Sequence, residues 1–267
     1  MSCCPPNSLP PAPTTSDLVP IKAGATDVYF WDNPSTDRAV LVFPDIYGCD
    51  SGRTKANAAK LSANFKVILV DLSANDYVIN LDMVAAWIKA RPFETLVGKI
   101  DDVVAHFKAV HGVTTFGAMG YCWGAWVVAR YSELPSTPLS AGVSFHPSWG
   151  AENFFHGDAA DETFETIKAA RVVFAAGDSA AEKLAHTIHA PQLVLAAGND
   201  PAWLKPGGSV EKTLQARGIA SKFRDFPNVV HGWMNRGDLA EPAVASAFKA
   251  AWEDEAIPFL QQQLTGQ

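Results

Sequence analysis

Short apolar bursts alternate with amphipathic stretches along almost the whole chain. The bursts at Val28–Trp31, Ala39–Phe43, Lys66–Val70, Thr115–Ala118, Ala141–Phe145, Arg171–Ala175, Gln192–Ala196 and Lys222–Phe226 are β-branched and bounded by Gly, Pro or Asp, as strands are. Between them, Gly52–Asn64, Leu81–Ala90, Leu96–Val110, Trp123–Ser132, Ala180–His189, Val210–Arg217 and Pro242–Gln262 follow a helical period. This alternation predicts an α/β fold: a mostly parallel central sheet with helices on both faces, in three layers. Only the short polar link Asp32–Arg38 separates the first two strands, which predicts an antiparallel start to the sheet. Residues 1–18 are rich in Pro and Ser and read as an irregular arm, leaving 19–267 as a single domain.

Composition narrows the function classes. The apolar share of 48% can fill one large core, and the net charge of −7 comes without any Lys/Arg cluster longer than a pair. Neither nucleic acid nor an anionic membrane is therefore expected as a partner. No apolar run reaches the roughly 18 residues that a membrane span needs. Met1–Pro13 has neither the basic nor the apolar region of a signal peptide. The cysteines are Cys3, Cys4, Cys49 and Cys122; no C-x-x-C pair is present, so no structural zinc is expected. A chain of this size needs no disulfide staples, and Cys3-Cys4 reads as a pair of reduced thiols on a loose tail. The expected compartment is the cytosol, and the expected state a monomer or weak homodimer.

One segment carries chemistry. Gly120-Tyr121-Cys122-Trp123-Gly124 follows the strand at Thr115–Ala118 and opens the helix at Trp123. That is the context of a nucleophile elbow with Cys in place of Ser. Small residues two before and two after the nucleophile relieve the crowding of such a turn, and the helix N-terminus favours a thiolate. Read alone, the pattern also fits a buried cysteine acting as a small hydrophobe. If the chain order is nucleophile, acid, histidine, the acid is Asp200, directly after the strand Gln192–Ala196, and the base is His231, past the last strand. The end of Arg171–Asp178 resembles the end of Gln192–Asp200, so Asp178 is an alternative acid. His146 lies too early for the base and reads as a wall of the site. His106, His111, His156, His186 and His189 read as structural or solvated, and no metal is assigned. The loop Phe43–Gly48 follows the second strand, where Ile46 can supply one backbone N–H of an oxyanion hole and Trp123 the second.

The chain resembles the dienelactone hydrolases, in their eukaryotic-type branch. The likeness rests on Met1-Ser-Cys-Cys-Pro-Pro6, Asp45-Ile-Tyr-Gly48 leading to Asp50-Ser-Gly-Arg53, Gly120–Gly124, Phe145-His-Pro147, Gly198-Asn-Asp200 and His231-Gly-Trp233 with Arg236. It implies an α/β-hydrolase fold, a Cys122-His231-Asp200 triad acting on a small ester or lactone through an acyl-enzyme, and no cofactor. Many members carry Glu where this chain has Asp45; that carboxylate sits near the resting thiol and helps activate it, which the resemblance implies for Asp45. Arg236, and second Arg91, are the candidates for holding a substrate carboxylate. Tyr47, Trp123, Trp149, Trp203 and Trp233 lie beside motif residues and suggest an aromatic pocket. The segment 148–183 is longer than the family's usual link. The alternatives are a general carboxylesterase or thioesterase without dienelactone activity, and a non-catalytic binding protein on a hydrolase fold.

Overall fold

The computed structural model describes residues 5, 7–14, 16–156 and 179–265. The strand expected at Arg171–Ala175, the alternative acid Asp178 and the Cys3-Cys4 pair lie outside the described residues.

The strands are β1 (Ile21–Ala23), β2 (Thr26–Trp31), β3 (Arg38–Phe43), β4 (Lys66–Asp71), β5 (Thr115–Tyr121), β6 (Leu139–Phe145), β7 (Gln192–Ala197) and β8 (Ser221–Phe226). They form one sheet in the order β1-β2-β4-β3-β5-β6-β7-β8. All pairs from β4 to β8 are parallel, and β2 is antiparallel to both β1 and β4. The antiparallel start is therefore present, but with other partners than the short link suggested. β2 does not pair with β3; the link crosses over so that β4 lies between them. The cause is burial: β3 is apolar on both faces and takes a central place between β4 and β5. β1 escapes the hydrophobic pattern because it has three residues, two of them exposed.

The two-residue repeat of the strands divides the core. Ala39, Leu41, Phe43, Ile68 and Val70 point to one face; Val40, Val42, Val67 and Leu69 point to the other. The first face is covered by α2 (Val84–Lys89), α3 (Val97–His111) and α4 (Trp123–Ser132), through residues such as Trp87, Ile100, Phe107 and Trp126. The second is covered by α1 (Thr54–Leu61) and the C-terminal helices, through Leu61, Trp252, Leu260 and Leu264. The result is the expected three-layer arrangement. The helix expected over Pro242–Gln262 is α-helical over Pro242–Lys249 and Ile257–Leu264, with a π-helical stretch Ala250–Ala256 between. Pro258, which has no N–H to donate, follows this widened stretch.

Leu260 is wholly buried beneath the sheet and far along the chain from the elbow. Leu260→Ala should lower unfolding free energy in urea by about 2–5 kcal/mol. A loss below about 1 kcal/mol would mean that the C-terminal helix contributes little to this face.

Candidate active site

The turn between β5 and α4 holds Cys122 at φ 55 and ψ −115. A non-glycine residue pays of order 1–3 kcal/mol for such a backbone, so the surroundings must impose it. They do so by hydrogen bonds: Cys122 N–H donates to Phe145 O (3.1 Å), and Ser148 N–H donates to Cys122 O (3.0 Å). The flanking glycines are required by contact. A Cβ on Gly120 would sit 2.3 Å from the Gly124 carbonyl, and one on Gly124 would sit 2.2 Å from the Phe43 oxygen. The elbow therefore packs directly on the end of β3. Cys122 is buried, and its Sγ lies 3.2 Å from Ser148 Oγ.

His231 and Asp200 meet at the carboxyl edge of the sheet, beyond β7 and β8. Asp200 Oδ1 lies 2.7 Å from His231 Nδ1, and both side chains are fully buried. The other oxygen, Oδ2, accepts Ala197 N–H at 2.6 Å, which fixes the carboxylate to the end of β7. The backbone of His231 is tied on both sides: its N–H donates to Asn199 Oδ1 (2.7 Å) and its carbonyl accepts Leu9 N–H (2.9 Å). Burial pulls the imidazole pKa down, but Asp200 and then Cys122 outweigh it and raise it to about 9. With Nδ1 held by Asp200, Nε2 is the nitrogen left to serve the sulfur. The structure thus brings Cys122, His231 and Asp200 together.

His146 packs edge-on against His231, with ring centroids 4.9 Å apart. It is buried at φ 36, and neither ring nitrogen has a hydrogen-bond partner among the described residues. Burial, then His231 and Arg236, hold its pKa well below the ordinary histidine value. It is a neutral wall beside His231.

Of the two expected oxyanion donors, Ile46 lies in the loop after β3 and Trp123 is the first residue of α4. Among the described residues, neither Ile46 N–H nor Trp123 N–H is donated to a carbonyl. Ile46 O accepts Val78 N–H (2.9 Å), which ties this loop to the next.

Asp45 and Arg236 are brought together, and this changes the reading of both. Asp45 Oδ1 accepts Tyr47 N–H (2.9 Å); Oδ2 accepts Ser51 Oγ–H (2.9 Å), Asn235 Nδ2–H (2.7 Å) and the Arg236 guanidinium. Arg236 Nε donates to Leu9 O (3.2 Å), and its guanidinium lies over the Tyr47 ring. Arg91 is elsewhere, on the face of Trp87 and bonded to Asp76. Trp149 is fully buried and donates its indole N–H to Ala125 O (3.1 Å), beneath α4. Trp233 packs on Phe226 in the core of the opposite sheet face, whereas Trp203 is partly buried against the first face.

Sequence reasoning missed Ser148 and Trp87. Ser148 could have been found from its place after Phe145-His-Pro147, at the end of β6. Trp87, edge-on to Trp123 at 4.9 Å, gives no signal beyond a helical apolar position. Among the described residues, no group of three or more His, Cys, Asp or Glu is arranged to hold a metal ion, and no helix is long and apolar enough to cross a membrane.

The raised pKa of His231 has a consequence for stability. The folded chain keeps this proton up to about pH 9, while an unfolded histidine releases it near 6.5. Between these values the folded state binds more protons, so stability is full below the lower one and is lost as pH rises through the upper. The opposite contribution of His146 falls below pH 6.5, where the unfolded ring takes up a proton that the buried one refuses. The melting temperature of the wild type should therefore fall more steeply between these two pH values than that of His231→Gln. Parallel profiles would contradict the buried charged pair.

Comparison with known proteins adds the relationship. The family model described as the dienelactone hydrolase family matches residues 26–264. A carboxymethylenebutenolidase homolog of Xenopus tropicalis is 28% identical over 121 residues, a stretch covering 42% of this chain and 47% of that protein. Among solved structures, a dienelactone hydrolase-like promiscuous phosphotriesterase from metagenomic libraries superposes with a TM-score of 0.64 at 18% identity, covering 94% of this chain and 99% of its own. An acylaminoacyl peptidase of Pyrococcus horikoshii gives 0.61 at 15% identity, over 91% of this chain and 40% of its own. At such identities the superpositions speak for the α/β-hydrolase fold. The family match spans β2 to β8, the elbow and both loops that carry Asp200 and His231, and the chain belongs to the dienelactone hydrolase family.

Proposed function

We propose that this chain is a carboxylic ester hydrolase that cleaves a small ester or lactone through a cysteine acyl-enzyme. The observation that carries the reading is the buried Asp200–His231 pair at 2.7 Å, which leaves Nε2 for a thiol held on a positive-φ elbow. Family membership supports the reaction class.

The steps follow from the positions. Cys122 Sγ, as the thiolate, attacks the carbonyl carbon; the oxyanion is held by the N–H groups of Ile46 and Trp123. The tetrahedral intermediate collapses, and His231 Nε2 gives its proton to the leaving alkoxide. A thioester remains on Cys122. His231 then takes a proton from water, the hydroxide attacks the thioester, and the acid departs as the thiolate reforms. Asp200 keeps Nδ1 protonated and stabilises the imidazolium. Asp45 helps the thiol indirectly in this reading, by fixing the loop that presents Ile46. Cys49 and Cys122 are present as thiols, which suits a reducing compartment such as the cytosol.

Cys122→Ala should lower kcat/KM on a p-nitrophenyl ester by at least about 1,000-fold, with the circular dichroism spectrum unchanged. Undiminished turnover would exclude the nucleophile. Asp200→Asn should lose on the order of 10,000-fold in kcat through the wrong imidazole tautomer. Asp178→Asn should leave the rate intact; if it is the damaging change, the acid is misassigned.

A further inference from the structure

Past β6 the chain turns sharply and crosses back over the elbow. His146 takes φ 36, Pro147 follows, and Ser148 sits at φ −105 and ψ 50. Hydrogen bonds pin this crossing to the sheet and to α4. Cys122 N–H donates to Phe145 O (3.1 Å), His146 N–H to Leu195 O (2.8 Å) and Ser148 N–H to Cys122 O (3.0 Å). Just beyond, Ala151 N–H donates to Ser148 O (3.0 Å), and the Trp149 indole N–H donates to Ala125 O (3.1 Å). Ser148 is therefore held from both sides. It is 3% exposed, and its Oγ lies 3.2 Å from Cys122 Sγ. Among the described residues, Ser148 Oγ has no other hydrogen-bond partner.

What these two atoms exchange depends on the charge of the sulfur. Against a neutral thiol either atom can donate, and the bond is weak. Against a thiolate only the Ser148 O–H can donate, and a hydrogen bond to an ionised acceptor is roughly twice as strong. The bond therefore strengthens as Cys122 loses its proton, and a donor so placed favours the charged form. It also restrains the sulfur, which could otherwise turn about its one side-chain torsion. The titratable groups on neighbouring elements are His231, with Asp200 behind it, and His146, which burial, then His231 and Arg236, keep neutral. Among the described residues, neither imidazole bonds to Ser148.

We infer that Ser148 is a further catalytic residue: its hydroxyl donates to Cys122 Sγ and stabilises the thiolate that attacks the carbonyl carbon. The inference rests on the acyl-transfer reading above, and deepens it. The backbone N–H of Ser148 has a separate task, closing the elbow on Cys122 O, for which the hydroxyl is not needed.

The test separates the two tasks with Ser148→Ala, which keeps the backbone bonds and removes one oxygen; circular dichroism and melting temperature check the fold. The ultraviolet absorbance of the thiolate is titrated in the wild type and in the variant. The matching protein with Cys122→Ala is subtracted in each case, which removes the other cysteines and the tyrosines. In parallel, kcat/KM on a p-nitrophenyl ester is followed against pH. In Ser148→Ala the midpoint of thiolate formation, and with it the acid limb of kcat/KM, should move up by about one pH unit, the size expected for a hydrogen bond to a charged group. Below the midpoint this is about a tenfold loss of thiolate and of kcat/KM. Midpoints that coincide with those of the wild type would overturn the inference. So would a kcat/KM lowered by one factor at every pH, which marks a structural role. Either result leaves Cys122 as the nucleophile so long as Cys122→Ala is inactive. Turnover that survives in Cys122→Ala would instead overturn the reading on which the inference rests, and the inference with it.

Discussion

The turn at Cys122 is a conformation that the chain would not adopt unaided, and much of the structure is arranged to impose it. Holding φ at 55 requires that β5 end against β3 and β6, because Phe43 and Phe145 supply the surfaces that close the turn. That adjacency needs parallel strands with crossover helices, and parallel strands must be buried on both faces. The near-continuous apolar runs of β3, β4 and β7 follow from the same requirement. So the glycines at 120 and 124, the placing of β3 at the centre and the two apolar layers belong to one constraint.

Charge is the second constraint, because the site buries it in two places. His231 with Asp200, and Arg236 with Asp45, are both almost wholly out of water. Removing a charge from water is costly unless partner and hydrogen bonds are well placed, and each pair here has such braces. Asp200 has Ala197 N–H; Asp45 has Tyr47 N–H, Ser51 and Asn235. The braces join separate loops. Asn235 and Arg236 come from the segment after His231, and Asp45 from the segment that carries Ile46. The positions of His231 and of Ile46 are thereby coupled through one buried ion pair. The neutral His146 fits beside this: a second charged imidazole there would oppose the proton that His231 must hold.

The sequence made the skeleton legible wherever burial leaves a periodic trace. α4 begins and ends as its pattern indicates, and seven of the eight strands coincide with apolar bursts, apart from the expected strand that falls outside the described residues. Cys122, Asp200 and His231 were legible as candidates because they sit next to strand ends in a fixed order. What was not legible has a common physical cause. β1 is too short to alternate. The pairing of β2 with β4 depends on competition for the sheet centre, which no local pattern encodes. Trp149 and Trp233 stand beside motif residues in the chain, yet face the core, since chain proximity does not fix side-chain direction. Asp45 and Arg236 were each identifiable as special, but their attachment to one another spans loops far apart in sequence.

The short reach of one side chain explains that attachment. Asp45 Oδ1 bonds the N–H two residues ahead, at Tyr47, which is an Asx turn. Closing this ring uses the short reach of aspartate and fixes the carboxylate to the base of its own loop. Oδ2 is thereby left aimed at Ser51, Asn235 and Arg236, so that one short side chain ties the loop of Ile46 to the segment that follows His231.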